Sequence, residues 1–240
     1  MNKIALITGS SRGLGLAIAR ALSHEDYRII LTGRNKNDLQ NAQKTLNKEC
    51  RHILIYGDLQ EESTIQDLKN LCLIPNVIVH NLGCKIDGDE QPLQYDILMK
   101  SVALALGAAV NINAYYLPLM SEKKQGRIIH IGSDASETGN ASPGYVSAKA
   151  AINAYVKSTA RFYAKKNIMI CAVSPGVFLS PGNAWDIKRE TDPKKYQQKL
   201  KEMPLGRFLF LEEIVEAIKN IALTNNMSYT GGVIRLTGGL

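Results

Sequence analysis

Two sets of residues have the types and spacing to do chemistry. Tyr145-Val146-Ser147-Ala148-Lys149 places a phenol and an ammonium four residues apart, and residues at i and i+4 share one face of a helix. An ammonium beside a phenol favours the phenolate and lowers its pKa. That predicts Tyr145 as a proton donor and acceptor near neutral pH. The spacing alone recurs by chance, and a surface pair is the plain alternative. Ser133, in Ile131-Gly132-Ser133, falls at the carboxyl edge of a predicted strand, where a substrate carbonyl would sit.

The second set is Thr8-Gly9-Ser10-Ser11-Arg12-Gly13-Leu14-Gly15, which joins a first apolar run to a first helix. Gly9 suits a tight turn, Gly13 lets backbone approach a pyrophosphate, and Gly15 lets the helix pack closely. The helix amino terminus then faces the phosphates. Gly9, Ser11, Arg12, Gly13, Leu14 and Gly15 are therefore the expected cofactor loop. A glycine-rich turn is weak evidence alone, but a buried strand before it and an amphipathic helix after it are the required context. The second strand ends Leu31-Thr32-Gly33-Arg34 with no carboxylate near Gly33 for ribose hydroxyls. Arg34 and Arg12 can instead grip a 2′-phosphate through planar, paired donors, which predicts NADP(H) over NAD(H). The competing reading is that Arg34 starts a solvated helix.

The elements that must position these groups alternate. Predicted strands cover Lys3 to Thr8, Arg28 to Thr32, His52 to Tyr56, Val77 to His80, Arg127 to Ile131, Ile168 to Val173 and Gly232 to Leu236. Predicted helices cover Leu14 to Leu22, Asp38 to Leu46, Ile65 to Leu71, about Gln94 to Ser121, Pro143 to Ala164 and Glu212 to Leu223. Short apolar runs read as strands buried on both faces. Their alternation with helices predicts an α/β fold: one Rossmann-like, doubly wound parallel sheet of about seven strands, in a single domain over residues 1–240. Phe178 to Leu209, with Pro181, Pro193 and Pro204, breaks the rhythm. It follows the sixth strand and reads as a substrate lid at the ligand-binding end of the sheet.

Composition sets the bounds. The 240 residues are 45% hydrophobic and 21% charged, ordinary for a globular chain. The longest apolar run, Val102 to Val110, falls short of the roughly 20 residues a bilayer needs. Met1-Asn2-Lys3 leads into an apolar stretch that Thr8-Gly9-Ser10-Ser11-Arg12 interrupts, unlike a secretory signal. A cytoplasmic protein with no membrane partner is expected. Cys50, Cys72, Cys84 and Cys171 form no CxxC pair, and His24, His52, His80 and His130 are scattered, so neither metal nor disulfide is predicted. The net charge of +7 is spread along the chain without a basic tail. It fits an anionic cofactor or substrate better than nucleic acid.

Together these motifs resemble the short-chain dehydrogenase/reductase family over nearly the whole chain. The resemblance rests on TGSSRGLG at 8–15, Asp58 after the third strand, Asn81-Leu82-Gly83, Ser133, the YxxxK at 145–149, Pro175-Gly176 after the sixth strand, and Thr230-Gly231-Gly232-Val233-Ile234. It implies an oxidoreductase interconverting a ketone and a secondary alcohol. Tyr145 would protonate the carbonyl oxygen as hydride arrives from the nicotinamide. Ser133 would hydrogen-bond that oxygen, and Lys149 would bind the nicotinamide ribose and tune Tyr145. Asp58 would contact the adenine, and Asn81 and Gly83 would line the cofactor. Val177 and Ser180, after Pro175 and Gly176, would face the carboxamide. For Asp58 and Asn81, ordinary loop capping is the alternative.

One position departs from the family. Its usual relay Asn, in the helix before the fifth strand, falls on Ala105. Asn111 and Asn113 come six and eight residues later, roughly 9 and 12 Å along a helix, and neither substitutes simply. The backbone carbonyl of Ala105 would keep part of the relay. A protein that binds NADP(H) as a sensor or scaffold is the alternative function.

The substrate stays open. Trp185 could stack on a sugar or base, or anchor the lid. Lys188, Arg189, Lys194, Lys195, Lys199 and Lys201 could be a solvated face or attract a phosphorylated substrate. His80-Asn81-Leu82-Gly83, Trp185-Asp186 and Tyr196 resemble a subgroup linked with bacterial surface-sugar and nonulosonate pathways. The more widespread relatives reduce 3-oxoacyl thioesters. The resemblance also implies a homo-oligomer, tetramer or dimer, built through two long helices and the carboxyl-terminal region. Ala148, Ala150, Ala151, Ala154 and Ala160 suit close helix approach or packing on the sheet.

Overall fold

The structure, a computed structural model, describes residues 3–240; Met1 and Asn2, where the amino-terminal reading above begins, lie outside them. Apolar runs became strands and the 3.6-period stretches became helices. The order is β1 (Ile4–Ile7), α1 (Gly13–Ser23), β2 (Arg28–Gly33), α2 (Lys36–Gln43), β3 (Ile53–Tyr56), α3 (Glu62–Asn70), β4 (Val77–His80), α4 (Tyr95–Val102) and α5 (Ala108–Lys123). Then come β5 (Gly126–Ile131), α6 (Ala135–Thr138), α7 (Pro143–Tyr163), β6 (Ile168–Pro175), β7 (Phe178–Leu179), α8 (Ala184–Thr191), α9 (Pro193–Lys201), β8 (Leu209–Phe210), α10 (Leu211–Leu223) and β9 (Val233–Leu236).

Seven strands form one parallel sheet in the order β3-β2-β1-β4-β5-β6-β9. Strand order reverses between β1 and β4, and ligands of open α/β sheets bind in the crevice outside the carboxyl ends at such a switch point. Alternation along each strand feeds two cores. Ile7, Ile29, Val79, Ile129 and Val173 pack with Ile18 and Leu22 of α1 and with Ile214 and Ile218 of α10. On the other face Leu6, Ile30, Ile78, Ile128 and Ile170 pack with Leu68 of α3, Ile112 and Tyr116 of α5, and Ile152 and Val156 of α7. Burial on both faces explains why these strands read as unbroken apolar runs.

Three features go beyond the sequence reading. The segment after β6 folds back as α8 and α9, and its ends pair as the two-stranded parallel β7–β8. The helix expected from about Gln94 to Ser121 is α4 and α5 joined by a π-helical turn, Ala103–Gly107. A π turn widens the backbone ring, and such turns gather at functional sites. Finally, the expectation that no stretch could cross a membrane needs correction. Residues 95–123 form a 29-residue helical stretch with a window of mean hydropathy 1.5, long and apolar enough by length and composition. A run interrupted by single polar residues hides this, because the window average tolerates them. Its apolar content has a local use, since Ala105, Ala108, Ile112, Leu117 and Met120 are buried in the second core.

Candidate active site

The carboxyl ends of β1, β4, β5 and β6 bring the expected residues to one crevice. The first component is the turn after β1. Gly9 has φ +62°, which glycine adopts without the clash a side chain would bring. Its N–H donates to Thr32 Oγ1 at 3.1 Å, and Ser10 Oγ accepts from Thr32 N at 3.0 Å. Those two hydroxyls pin the loop to β2. Asn81, just past β4, donates from Nδ2 to the carbonyls of Thr8 and Gly9, both at 3.2 Å. Its role in the structure is thus to hold the glycine loop across the switch point.

The loop fits a dinucleotide phosphate. A methyl group on Gly15 would collide with the Gly9 carbonyl and Asn81, whereas one on Gly13 would meet only Ser180 Oγ at 3.9 Å. Space therefore opens over Gly13. The α1 amino terminus has no side-chain cap and no acidic residue in its first turn, leaving N–H donors and a positive dipole end for an anion. Ser180, close beside Gly13, is buried with an unpartnered hydroxyl. Arg12 and Arg34 are exposed and make no ion pair among the described residues. Asp58 accepts from Gln60 N at 2.9 Å, so its carboxylate also caps its own turn.

The second component lies at β5 and α7. Ser133 Oγ accepts from Ala135 N at 3.2 Å, and Ser136 Oγ donates to the Ser133 carbonyl at 2.7 Å. Asn153 of α7 donates to Ser136 Oγ at 2.9 Å. The short helix α6 is thereby tied to α7, and the Ser133 hydroxyl lies near enough to draw the Tyr145 phenol down. Lys149 lies one turn on, only 2% exposed. Its Nζ donates to the carbonyls of Ile131 at 2.7 Å and Leu82 at 3.4 Å, and sits 5.7 Å from the Tyr145 ring centroid. Tyr145, Lys149 and Ser133 do converge, beside Asn81 and Gly83.

The electrostatics correct one expectation. Burial pushes the Tyr145 phenol up from its ordinary value, and the Ser133 hydrogen bond pulls it back only in part. The expected lowering by Lys149 does not appear, and burial sets the direction. The same burial pulls Lys149 down to about 8. Tyr145 thus holds its proton at neutral pH in the free protein, ready to give it.

Ala105 and Lys149 both lie close against Gly83. A methyl group at Gly83 would lie 2.9 Å from Lys149 Nζ and 3.1 Å from Ala105 Cβ. Ala105 is buried within the π turn. Asn111 is exposed, and Asn113 is committed elsewhere. Asn113 Oδ1 lies 2.9 Å from His80 Nε2, and its Nδ2 donates to Tyr155 OH at 3.2 Å. His80 stacks on His130 with ring centroids 4.6 Å apart. Burial lowers His80 to about 4 and holds His130 well below its ordinary value, so this pair is neutral. Asn113 is thus held by His80 and Tyr155.

Sequence reasoning missed Asp89 and Asp134. Asp89 is 0% exposed and accepts from Ser142 Oγ and Gly144 N, both at 2.6 Å, and from Tyr145 N at 2.9 Å. A carboxylate here caps α7 and complements its dipole. Asp134 receives Arg235 Nε of β9 at 2.8 Å, and its N–H donates to the Pro175 carbonyl at 2.9 Å. Gly176 N then donates to the Leu236 carbonyl at 2.7 Å. Val177 is partly exposed, and its carbonyl accepts from Leu209 N at 3.0 Å.

The family model described as short chain dehydrogenase matches residues 3–191. The chain belongs to this family. Like other short-chain dehydrogenases it is a nicotinamide-dependent oxidoreductase. Carbonyl reductase family member 4 of Xenopus laevis is 28% identical over 245 aligned positions, covering 100% of this chain and 98% of that protein. The 3-oxoacyl-[acyl-carrier-protein] reductase of Salmonella typhimurium is 27% identical, covering 99% and 97%. A solved 3-oxoacyl (acyl-carrier-protein) reductase from Agrobacterium tumefaciens, with NADP bound, is 29% identical with a TM-score of 0.88, covering 99% and 94%.

Proposed function

We propose that this short-chain dehydrogenase is an NADP(H)-dependent carbonyl reductase in which Tyr145 protonates the oxygen of a bound ketone. The convergence of the Tyr145 phenol, the Ser133 hydroxyl and the Lys149 ammonium beside the switch-point crevice carries the reading. When bound, the nicotinamide supplies the hydride. Gly9, Ser11, Arg12, Gly13, Leu14 and Gly15 would hold the pyrophosphate, and Arg12 and Arg34 the 2′-phosphate. Asp58 would meet the adenine. Asn81 and Gly83 would line the nicotinamide side, with Pro175, Gly176, Val177 and Ser180 at the carboxamide.

The chain's own groups do the rest. Ser133 donates a hydrogen bond to the carbonyl oxygen and so orients it. Tyr145 gives its proton to that oxygen as negative charge develops there. Lys149, charged below about pH 8, opposes the charge left on the phenol. The backbone carbonyl of Ala105 would keep part of the relay that returns the proton. Phe178 to Leu209, carrying α8 and α9, acts as a lid over the substrate within a single domain. The substrate is a ketone of the sugar or 3-oxoacyl type.

The working protein is a cytoplasmic homo-oligomer. Exposed Tyr95 (77%) on α4 and Phe162 (72%) on α7 support association through these long helices. Of the alanine stripe on α7, Ala148 and Ala160 pack on the sheet, while Ala154 faces outward.

The test follows NADPH by fluorescence on binding and then by its oxidation with a panel of ketones. Binding with turnover on at least one ketone supports the reading. Binding without turnover on the whole panel favours a sensor, the alternative that Ala105 suggests.

A further inference from the structure

We propose that Arg235 of β9 is a positioning residue: by pairing with the buried Asp134 carboxylate it holds the turn that carries Ser133. The inference rests on the reductase reading and adds to it a residue 101 positions along the chain from the turn it holds.

The pair differs from the others in the molecule. Surface ion pairs contribute little, and among the described residues the other paired carboxylates are all at least 26% exposed. The Asp134 side chain is 8% exposed. Arg235 Nε donates to Asp134 Oδ1 at 2.8 Å, and Nη2 donates to the same oxygen. No other group among the described residues donates to this carboxylate. A buried carboxylate stripped of its cation is costly, and the cost is relieved when the backbone moves to let water in.

The backbone that would move is the Ser133 turn. The Asp134 carbonyl accepts from Glu137 N at 3.0 Å and Thr138 N at 3.1 Å, and the Ser133 carbonyl accepts from Ser136 N at 3.1 Å. Ser133 Oγ takes Ala135 N inside the same turn. Opening the turn to hydrate Asp134 therefore carries the Ser133 hydroxyl away from the place where it meets the substrate oxygen.

Arg235 is itself held. On β9 it lies in register with Ser174, and Leu236 with Pro175, so its strand pairs with the strand whose end receives the Asp134 N–H. Its Nη2 also donates to the Leu240 carbonyl at 3.3 Å, and Thr237 Oγ1 donates to that carbonyl at 3.2 Å. A methyl group on Gly238 would collide with Leu205 at 2.6 Å, so the tail packs tightly on the end of the lid segment. Strand and tail together keep the guanidinium facing Asp134. The buried Asp89 sets Tyr145 from one side of the crevice, and the buried Asp134 sets Ser133 from the other.

The test has two arms, both on the full-length chain. Hydrogen exchange needs no turnover and reads the turn directly. In R235A the amides of residues 136–139 should exchange faster, while those of β5 and β6 stay protected. R235K keeps a cation facing Asp134 and should stay close to wild type. D134A removes the carboxylate together with its need for a partner, so it serves if R235A does not fold, and it should loosen the same amides. Unchanged exchange there in the variants that fold would overturn the proposal. The second arm uses a ketone that the wild type reduces. R235A should lower kcat by about tenfold to a hundredfold, the scale of a displaced orienting group, with NADPH affinity unchanged. S133A/R235A should be no slower than S133A, because Arg235 acts through Ser133. Losses that multiply in the double variant would also overturn the proposal. The reductase reading fails separately, through NADPH that no ketone oxidises, and the exchange arm still decides whether Arg235 holds the turn.

Discussion

The buried carboxylate of Asp89 receives the backbone N–H of Tyr145 at 2.9 Å, so a loop after β4 sets the first turn of the helix that carries the reacting phenol. Asp89 also takes Ser142 Oγ and Gly144 N. Burial would raise this carboxyl, but the three donors outweigh it and hold it below its usual range. D89A should cost about 2–3 kcal/mol in urea unfolding at pH 7 and lower turnover. The carboxylate's contribution is present above the unfolded pKa, near 4. It fades as pH falls through the lower folded value, so wild type and D89A should converge in acid. A constant difference across that range would remove the ionised carboxylate from the account.

The proposed preference for NADP(H) assigns the 2′-phosphate to Arg34 and Arg12. R34A should weaken NADPH binding by about tenfold to a hundredfold, the worth of one or two charge-assisted hydrogen bonds, while changing NADH affinity little. Titration by fluorescence measures both. Equal losses for the two dinucleotides would place Arg34 away from the 2′-phosphate.

Lys149 should appear in the pH profile. Its pKa of about 8 means that kcat/KM for ketone reduction is level near neutrality and falls above pH 8 as the ammonium deprotonates. K149R, whose guanidinium stays charged, should be slower but lack that alkaline limb. A limb at the same pH in K149R would assign it to another group.

The stacked His80 and His130 predict acid sensitivity. Both stay neutral when folded, and His80 titrates near 4 against about 6.5 unfolded. The unfolded chain therefore binds more protons between those values. Stability is full above pH 6.5 and declines toward pH 4, by roughly 3 kcal/mol for His80. Urea midpoints across this range check the slope, and H80F should flatten it.

Much of this is legible without the structure. Val77 to His80 reads with its observed bounds, because a strand buried on both faces leaves an unbroken apolar run. The Gly9–Gly15 turn is legible because its glycines answer steric demands. Other features leave no such mark. The π turn at Ala103–Gly107 is a change of backbone hydrogen bonding within an ordinary helical composition. β7 and β8 have two residues each, too few for any period. Asp89 looks like turn chemistry beside Gly88, and its partners lie more than fifty residues away. The Tyr145 phenol departs from its expected acidity because spacing shows the i+4 lysine but not the burial that raises the phenol.

The claim on which all else depends is that Tyr145 delivers the proton. Y145F keeps the ring and its packing but removes the hydroxyl, so NADPH affinity and the urea midpoint should stay close to wild type. Turnover of a ketone that the wild type reduces should fall by about 10²- to 10⁴-fold, the usual worth of a general acid. Y145F reducing that ketone at the wild-type rate, with its fold and NADPH binding intact, would contradict the account.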